Sequence, residues 1–455
     1  FKLNIRPEMA MIDARVLPAP EISYHHSSED DTFTPINGGW DLRGKKVVDG
    51  ANLNRWCVVN FDDLLPINTV ISFIHELNQT FIDIGLNMGN RHPPVIYADQ
   101  QDNIDNVLLH AYFSGFTEDD ETQLIVCILP NAEVPLYAEI KRVSDTILGI
   151  PTQCIKSEHV QWAKKGQMAS MAQKINMKLD GINWFVNRSH ISFISSKPTI
   201  VFGAHVIHPL SDDVVRPSIA TLSASMDSFA SSYASSIRAQ DQSTAIIEDL
   251  TNMVKELLEE FYRCWGERPQ QILFYRSGVS EGQFDQVLRN EVAAIHAACA
   301  SLDRTYMPPV TFVVVQKQRR VRFFPVHDRD GIGKCQPGTV VDTDMVVTRD
   351  YVSRHLFRPP VKFGFYLQSH PDTQGTSRFT LYNVLHDENF MTDGTLQDLT
   401  YKLCYLSSTS TSAISICAPV YHATRLGKRA SLYRDVENWD MTEVNPNLHW
   451  SMYYI

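Results

Sequence analysis

The sequence lacks the features of several protein classes. Among its 455 residues, no apolar run approaches the roughly 20 residues of a membrane-spanning helix, and nothing near the start is typical of a signal peptide. The eight cysteines are scattered and form no Cys-x-x-Cys pair, which disfavours a zinc site of that type. We therefore expect an intracellular protein, cytoplasmic or nuclear, with no membrane partner.

The chain also has fewer basic than acidic residues, 41 against 52. The formal net charge is −11, whereas proteins that bind nucleic acids usually carry a basic patch. Net charge does not report how charge is distributed, so local clusters of lysine and arginine still allow phosphate binding. The length suits two or three domains, and a hydrophobic content of 44% can build their cores. Because the first residue is Phe1 rather than Met, we expect the chain to be part of a longer protein.

The chain divides into a linker and two units. Residues 1–37 mix short β-prone pieces with prolines and an acidic run, which indicates an extended linker. In residues 38–186, predicted strands at 55–61, 122–130 and 151–155 alternate with helices at 69–86, 133–149 and 167–181, the last two closed by glycine. This alternation predicts an α/β fold around a mostly parallel sheet.

The second unit, residues 187–455, begins with a continuous apolar strand at 199–207 and a hairpin partner at 218–226. A helix over 243–265 has apolar residues spaced to give one buried face. Further core strands are predicted at 271–275, 310–315 and 363–369.

Two pairs of side chains form a candidate anion site. Tyr137 and Lys141 are four residues apart on one predicted helix, Lys174 and Lys178 repeat the spacing on a later one, and Gln153 lies at a strand end. Helix starts favour anions, so these lysines could converge on one phosphate. From spacing alone, ordinary solvated lysines remain the alternative.

Several long motifs, in order, resemble those of eukaryotic Argonaute proteins. TIVFGAHVIHP, QSTAIIEDL, ILFYRSGVSEGQF and SICAPVYHATRLGKRA resemble PIWI-domain segments, while YAEIKRVSDTILGIPTQC and KINMKLDG resemble segments of the MID domain. The resemblance implies the C-terminal half of such a protein. Residues 1–37 would be the L2-like linker, 38–186 a Rossmann-like MID domain, and 187–455 an RNase H-like PIWI domain.

The resemblance also implies roles for individual residues. Tyr137 would stack on the first guide base, and the loop over 131–136 would read that base. The residues implied to hold the guide 5′ phosphate are Lys141, Gln153, Lys174, Lys178 and Arg429. The residues implied to contact the guide backbone are Lys317, Arg322 and Arg378. Gln318 stands where an arginine is usual, and the aromatic end HWSMYYI would pack near the phosphate.

One stretch departs from the family pattern. Where members usually have a tyrosine and two arginines, this chain has Ser407, Thr409 and Ser412. Neutral hydrogen bonds to phosphate are roughly half as strong as charge-assisted ones. We therefore predict weaker binding of the guide backbone and a shallower salt dependence than in a typical member.

The resemblance places four residues where the family carries the Asp, Glu, Asp and His of its cleavage site. This degenerate quartet consists of His205, Ala245, Ser277 and Thr424. RNase H-type cleavage uses two Mg²⁺ ions about 3.5–4 Å apart, and Mg²⁺ prefers carboxylate oxygens. We therefore predict that the Mg²⁺ site is lost, that no cofactor is required for binding, and that the chain does not cleave.

Three other side chains are candidate replacements for the missing ligands. His422 would share a face with position 424 if that segment were a strand, Asp249 follows position 245 by one helical turn, and Asp227 lies near the first strand. None restores a two-metal site. Natural loss of the ligands and deliberate inactivation both remain open.

The implied function is binding of a small single-stranded guide RNA with a 5′ phosphate and pairing with complementary target RNA, in silencing without cleavage. The segment 285–304 would bind tryptophan-containing silencing partners, as in some relatives, or would form a plain amphipathic helix. Two rival functions stay open. One is a guide-dependent RNA endonuclease with atypical ligands, and the other is a protein-interaction scaffold that has lost RNA binding.

Overall fold

The computed structural model describes most of the chain. The described residues are 7–99, 102–114, 121–131, 134–162, 164–209, 217–242, 244–317, 321–326, 333–349, 360–371, 378–433 and 443–455.

The strands in this part of the chain range from two-residue pairs to long core strands. They are β1 Arg15–Val16, β2 Ile22–Ser23, β3 Thr32–Phe33, β4 Asn52–Leu53, β5 Trp56–Asn60, β6 Asn87–Met88, β7 Val95–Tyr97, β8 Leu124–Leu129, β9 Thr152–Lys156, β10 Phe185–Val186, β11 Thr199–Ile207, β12 Ser218–Ser225, β13 Tyr233–Gln240, β14 Gln271–Ser277, β15 Val310–Lys317, β16 Thr339–Val341, β17 Phe363–Gln368 and β18 Thr380–Asp387.

The helices are mostly amphipathic and pack on these strands. They are α1 Ile67–Asp83, α2 Ile104–Ser114, α3 Val134–Arg142, α4 Ser157–Gln161, α5 Lys165–Lys178, α6 Ser192–Ser195, α7 Leu250–Trp265, α8 Phe284–Leu302, α9 Asp393–Leu403 and α10 Ala418–Ala430. A π-helical turn, Val143–Leu148, continues α3 and ends at Gly149, whose φ of 68° is the left-handed conformation that glycine adopts easily.

A four-stranded parallel sheet carries the first unit, with strand order β7-β5-β8-β9. Successive residues of a strand point to opposite faces, so Val58 packs with α1 and α5, whereas Val59 packs with α2 and α3. The prediction of an α/β fold around a mostly parallel sheet is confirmed for this unit.

A nine-stranded mixed sheet carries the second unit, in the order β1-β16-β17-β18-β15-β14-β11-β12-β13. The central strands β11, β14 and β15 are parallel, and β12 pairs antiparallel with β11 as the predicted hairpin partner. Buried residues of α7 and α8 cover one face, and those of α9 and α10 cover the other.

The structure differs from the sequence-based expectations at two helix ends. Helix α7 begins at Leu250 rather than at 243, so Ile246 and Ile247 precede it. Helix α5 ends before Asp180, which itself takes a left-handed φ of 64° in place of the expected glycine. Strand β15 lies between β14 and β18 and is therefore an interior strand of the nine-stranded sheet. Within the described residues, no helix is long and apolar enough to cross a membrane.

Candidate nucleic-acid interface

One cleft of about 670 Å³ brings together the five residues that the resemblance assigned to the 5′ phosphate and Tyr137, assigned to the first base. Helix α3 supplies Tyr137 and Lys141, β9 supplies Gln153, and α5 supplies Lys174 and Lys178. Arg429 comes from α10, nearly 250 residues further along the chain than Lys178. The parallel sheet and the far end of the second unit therefore share this cleft.

Two buried ammonium groups meet at the floor of this cleft. The Nζ atoms of Lys141 and Lys178 each lie 2.9 Å from the carbonyl oxygen of Thr152 and donate to it. Lys178 also donates to Oε1 of Gln153 at 2.9 Å. Burial, followed by the charges of Lys141 and Arg429, lowers the pKa of Lys178 well below its ordinary value. Among the described residues neither ammonium has a carboxylate partner, so an anion would relieve their repulsion.

Arg429 is held by a buried network. Its Nη1 lies 2.9 Å from Oδ2 of Asp145, and the hydroxyl of Tyr433 donates to the same oxygen at 2.7 Å. The side chains of Arg429 and Asp145 are 6% and 0% exposed, so this ion pair is dry. The pair joins α10 to the π-helical turn of the first unit and fixes the guanidinium at the cleft.

The source of the positive charge differs from the expectation. Lys141 is in the last turn of α3, Lys178 is the last residue of α5, and Arg429 is next to the last residue of α10. Lys178 and Arg429 are therefore at the C-terminal ends of their helices, which carry partial negative charge, whereas the helix of Lys141 continues into the π-helical turn. The start of a helix does not supply the positive charge at any of these three positions. The side-chain cations themselves supply the field.

Sequence reasoning missed several residues of the cleft. Tyr421, Arg425 and Lys428 line it from α10, together with Cys154. The buried Tyr454 and Ile455 also line it, and they belong to the aromatic end that the resemblance placed near the phosphate. The three α10 residues are spaced by four and three along the helix, so they share one face of it. That spacing is the sequence signal that could have identified them as neighbours of Arg429 at the cleft.

A second cleft, of about 720 Å³, contains the whole degenerate quartet. His205 is near the end of β11 and Ser277 ends the parallel strand β14, so the two side chains are neighbours: Nδ1 of His205 lies 2.9 Å from Oγ of Ser277. Thr424 approaches from α10, and Ala245 from the segment before α7. The sequence motifs therefore located four residues that the fold does bring to one place.

A buried ion pair holds the segment of Ala245 against β14. The Nε atom of Arg276 lies 3.0 Å from both carboxylate oxygens of Glu291, and both side chains are fully buried. Arg276 also donates from Nη2 to the carbonyl of Ala245 at 2.6 Å, while Glu291 accepts from the backbone N–H of Ile247. The position is thus supported structurally although its side chain is a methyl group.

Close approach of backbones brings α10 to the sheet. A Cβ on Gly203 of β11 would lie 2.1 Å from the carbonyl carbon of Pro419, so only glycine fits there. The strand hydroxyl of Ser223 donates to the Pro419 carbonyl at 2.7 Å, and that of Thr221 donates to the carbonyl of Ala423 at 2.9 Å. These contacts set the depth of Thr424 in the second cleft.

None of the leftover side chains supplies a metal ligand in that cleft. His422 lies on helix α10, not on a strand, and is fully buried, with its ring centroid 4.5 Å from that of Tyr233. Asp227 accepts four hydrogen bonds from the turn at residues 229–232, and Asp249 pairs with Arg238 at 2.8 Å.

The second cleft has the wrong donor set for magnesium. Among its described lining residues none carries a carboxylate. Burial, then the charges of Arg276 and nearby basic groups, lowers the pKa of His205 to about 4, so the imidazole is neutral near pH 7. Two Mg²⁺ ions do not fit such a lining. Elsewhere in the described chain, His296, His386 and Glu388 form a group spaced for a single ion, and it shares no residue with either cleft.

The residues assigned to the guide backbone are spread out. Lys317 lines the second cleft, whereas Arg322 and Arg378 are exposed and line neither cleft. Gln318, residues 375–377 and residues 132–133 of the base-reading loop lie outside the described residues. The segment 285–304 is largely helix α8, which buries one apolar face, and its binding of protein partners stays a prediction.

The three hydroxyl replacements are mostly engaged within the protein. Ser407 is fully buried, Oγ1 of Thr409 lies 3.2 Å from the hydroxyl of Tyr421, and Ser412 pairs with Ser410 at 2.9 Å. Ser407 has no access to solvent, so its hydroxyl cannot donate to a phosphate in this structure, and the weaker binding of the guide backbone stays a prediction.

Two family models and several curated proteins match this chain. A family model described as Piwi domain matches residues 124–433, and one described as Mid domain of argonaute matches residues 34–112. The chain is 37% identical over 461 residues to protein argonaute 10 of Arabidopsis thaliana, covering 96% of this chain and 45% of that protein. It is also 37% identical to protein argonaute PNH1 of Oryza sativa subsp. japonica, covering 96% and 46%. The chain thus spans less than half the length of these curated relatives.

Solved structures show the same fold. The C-terminal lobe of a budding yeast Argonaute matches with a TM-score of 0.83 at 23% identity, covering 98% of this chain and 95% of that one. The Argonaute of Kluyveromyces polysporus with a guide RNA also matches with a TM-score of 0.83 at 23% identity, covering 97% and 53%.

Proposed function

Because the chain belongs to the Argonaute family, of which it carries the Mid and Piwi domains, we propose that it binds a 5′-phosphorylated guide RNA. The guide would pair with complementary target RNA in silencing, and the chain would not cut that target. The observation that carries the proposal is the meeting of the ammonium groups of Lys141 and Lys178 at one carbonyl, beside Arg429 and without a carboxylate between the two lysines.

The chemistry of this cleft suits a terminal phosphate better than a backbone phosphodiester. A terminal phosphate carries about −1.5 to −2 charges near pH 7 and three strong acceptor oxygens. The described cleft offers several cations that can each donate to such an oxygen, while the half-buried ring of Tyr137 is available for stacking on a base. A hydrogen bond to a charged group is worth about 1.5–3 kcal/mol, so losing one corresponds to about a 10- to 100-fold weaker affinity.

Absence of cleavage rests on the second cleft. A two-metal reaction needs anionic ligands that hold both ions, and the described lining offers a neutral imidazole, two hydroxyls and a methyl group at the quartet. Silencing without cleavage would then act through recruited partners.

The test is RNA binding followed by a cleavage assay on the same complexes. We expect short single-stranded RNA with a 5′ phosphate to bind at least about tenfold more tightly than its 5′-hydroxyl form. Lys178→Met should abolish most of that preference, because it removes one buried ammonium and keeps the volume. Lys165→Met, on the exposed start of the same helix, is the matched control and should leave the preference intact.

Two outcomes would contradict the proposal. Equal affinity for phosphorylated and hydroxyl RNA would favour the scaffold function. Cleavage of a complementary target in Mg²⁺ or Mn²⁺, abolished by His205→Ala, would favour the endonuclease.

A further inference from the structure

We propose that the second cleft is an anion site, in which Lys317, Arg425 and Lys428 bind a backbone phosphodiester of RNA directly, without a metal ion. The inference rests on the proposed function, since it assumes that RNA occupies the first cleft. It goes beyond that function because it assigns a ligand to a cleft whose former chemistry has been lost.

The charge of this cleft is the first argument. Its described lining contains three basic side chains, Lys317, Arg425 and Lys428, and within the described residues none of them forms an ion pair with an acidic side chain. A site for Mg²⁺ requires the opposite arrangement, with carboxylates and few cations. Loss of the ligands has therefore left a pocket that repels metal ions and attracts phosphate.

The arrangement of the cations is the second argument. Tyr421, Arg425 and Lys428 follow one another at spacings of four and three on α10, so they lie on one face of that helix. All three line both clefts, which makes the two cavities neighbours along one helix face. A strand whose 5′ phosphate lies between Lys141 and Lys178 can continue along this face.

The orientation and electrostatics of the side chains agree with such a path. Nη1 of Arg425 donates to the hydroxyl of Tyr421 at 2.7 Å, which fixes the guanidinium between the two clefts. Desolvation, followed by the charge of Lys428, lowers the pKa of Lys317, so the two ammonium groups act on each other. A phosphodiester between them would offset that repulsion.

This site opposes one expectation from the sequence. Replacement of a tyrosine and two arginines by Ser407, Thr409 and Ser412 predicted a shallow salt dependence of guide binding. The α10 cations restore positive charge beside Tyr421, whose hydroxyl lies 2.7 Å from Nη1 of Arg425 and 3.2 Å from Oγ1 of Thr409. The anion site would therefore keep the salt dependence steep by another route.

The test compares cleft variants with control variants that lose the same charge. Lys317→Gln removes a cation that lines the second cleft alone, and adding Lys428→Gln removes one that lines both clefts. Lys165→Gln, alone and together with Lys197→Gln, removes exposed lysines outside both clefts and serves as the matched control. Affinity for 5′-phosphorylated RNA is measured by fluorescence anisotropy in EDTA, between about 50 and 200 mM salt.

We expect Lys317→Gln to reduce the slope of log affinity against log salt by about 0.7 and the double variant by about 1.4, since each phosphate contact to a single strand contributes about 0.7. The controls should keep the wild-type slope, and replacing EDTA by Mg²⁺ should not raise the affinity of the wild type. If the reduction occurs with guide alone, the phosphate belongs to the guide. If it occurs only after a complementary strand is added, the phosphate belongs to the target.

An unchanged slope in both arms, or affinity that requires Mg²⁺, would overturn the anion site. The preference for a 5′ phosphate is measured on the same samples and reports on the first cleft. A reduced slope with the preference retained in Lys317→Gln separates the two sites, and absence of the preference in the wild type would instead refute the proposed function.

Discussion

Replacing Asp145 by Asn tests whether the buried network at the first cleft is poised for an anion. The carboxylate is fully buried, accepts from Arg429 at 2.9 Å and from Tyr433 at 2.7 Å, and faces a guanidinium that is only 6% exposed. Removing one partner of such a buried pair costs about 3–5 kcal/mol, because the remaining charge has no counterion. Asparagine keeps the shape and one acceptor oxygen, so we expect a loss of about 3 kcal/mol.

A bound 5′ phosphate should compensate part of that loss. Arg429 lines the cleft, so a phosphate there supplies negative charge to the guanidinium that Asp145→Asn leaves unpaired. The stabilisation by phosphorylated RNA should therefore be larger for the variant than for the wild type. Urea unfolding with and without 5′-phosphorylated RNA measures both quantities, and the midpoint without RNA should fall by up to about 1 M, because the slope for a chain of this size is about 3 kcal/mol/M or more.

The control is Tyr433→Phe, which removes one hydrogen bond to Asp145 without changing charge. It should cost about 0.5–1.5 kcal/mol and leave the stabilisation by RNA unchanged. The reasoning is refuted if Asp145→Asn unfolds at the wild-type midpoint, or if RNA stabilises both proteins equally.

Three further predictions concern packing and pH. Gly203→Ala should lower the free energy of unfolding by about 1–3 kcal/mol or more, because the added methyl group would push α10 away from the sheet. Urea unfolding measures the loss. Gly282→Ala, which has open space around it, is the control. Burial first, then the charge of Arg425, lowers the pKa of His422 to about 3, so below pH 6.5 the unfolded state binds a proton that the folded state does not. The free energy of unfolding should therefore fall by about 1.4 kcal/mol for each unit by which the pH decreases below 6.5. Unfolding curves at pH 7 and pH 5 test this, and His422→Phe should flatten the dependence. Affinity for phosphorylated RNA should decline as pH rises through the lowered pKa of Lys178, well before an ordinary lysine loses its charge, and anisotropy titrations of Lys178→Met should not show this decline.

Local pattern and motif were sufficient for much of the fold. Alternating apolar strands and amphipathic helices predicted the parallel sheet of the first unit, because burial on both faces requires continuous apolar strands. The boundaries of helices were predicted less accurately. The helix expected from residue 243 begins at Leu250, since the segment before it is held by Arg276 and Glu291, two residues that come later in the chain.

The sequence by itself determined the lysines of the first cleft and the degenerate quartet of the second. It did so because the motifs that resemble those of the family carry these residues at fixed offsets. Only the tertiary structure decided how they act. Helical spacing tells which side chains share a face but not which faces meet, so the convergence of Lys141 and Lys178 on the Thr152 carbonyl could not be predicted from spacing. For the same reason, helical spacing could not predict that Arg425 and Lys428 line both clefts. Their positions depend on the close approach of α10 to β11 at Gly203.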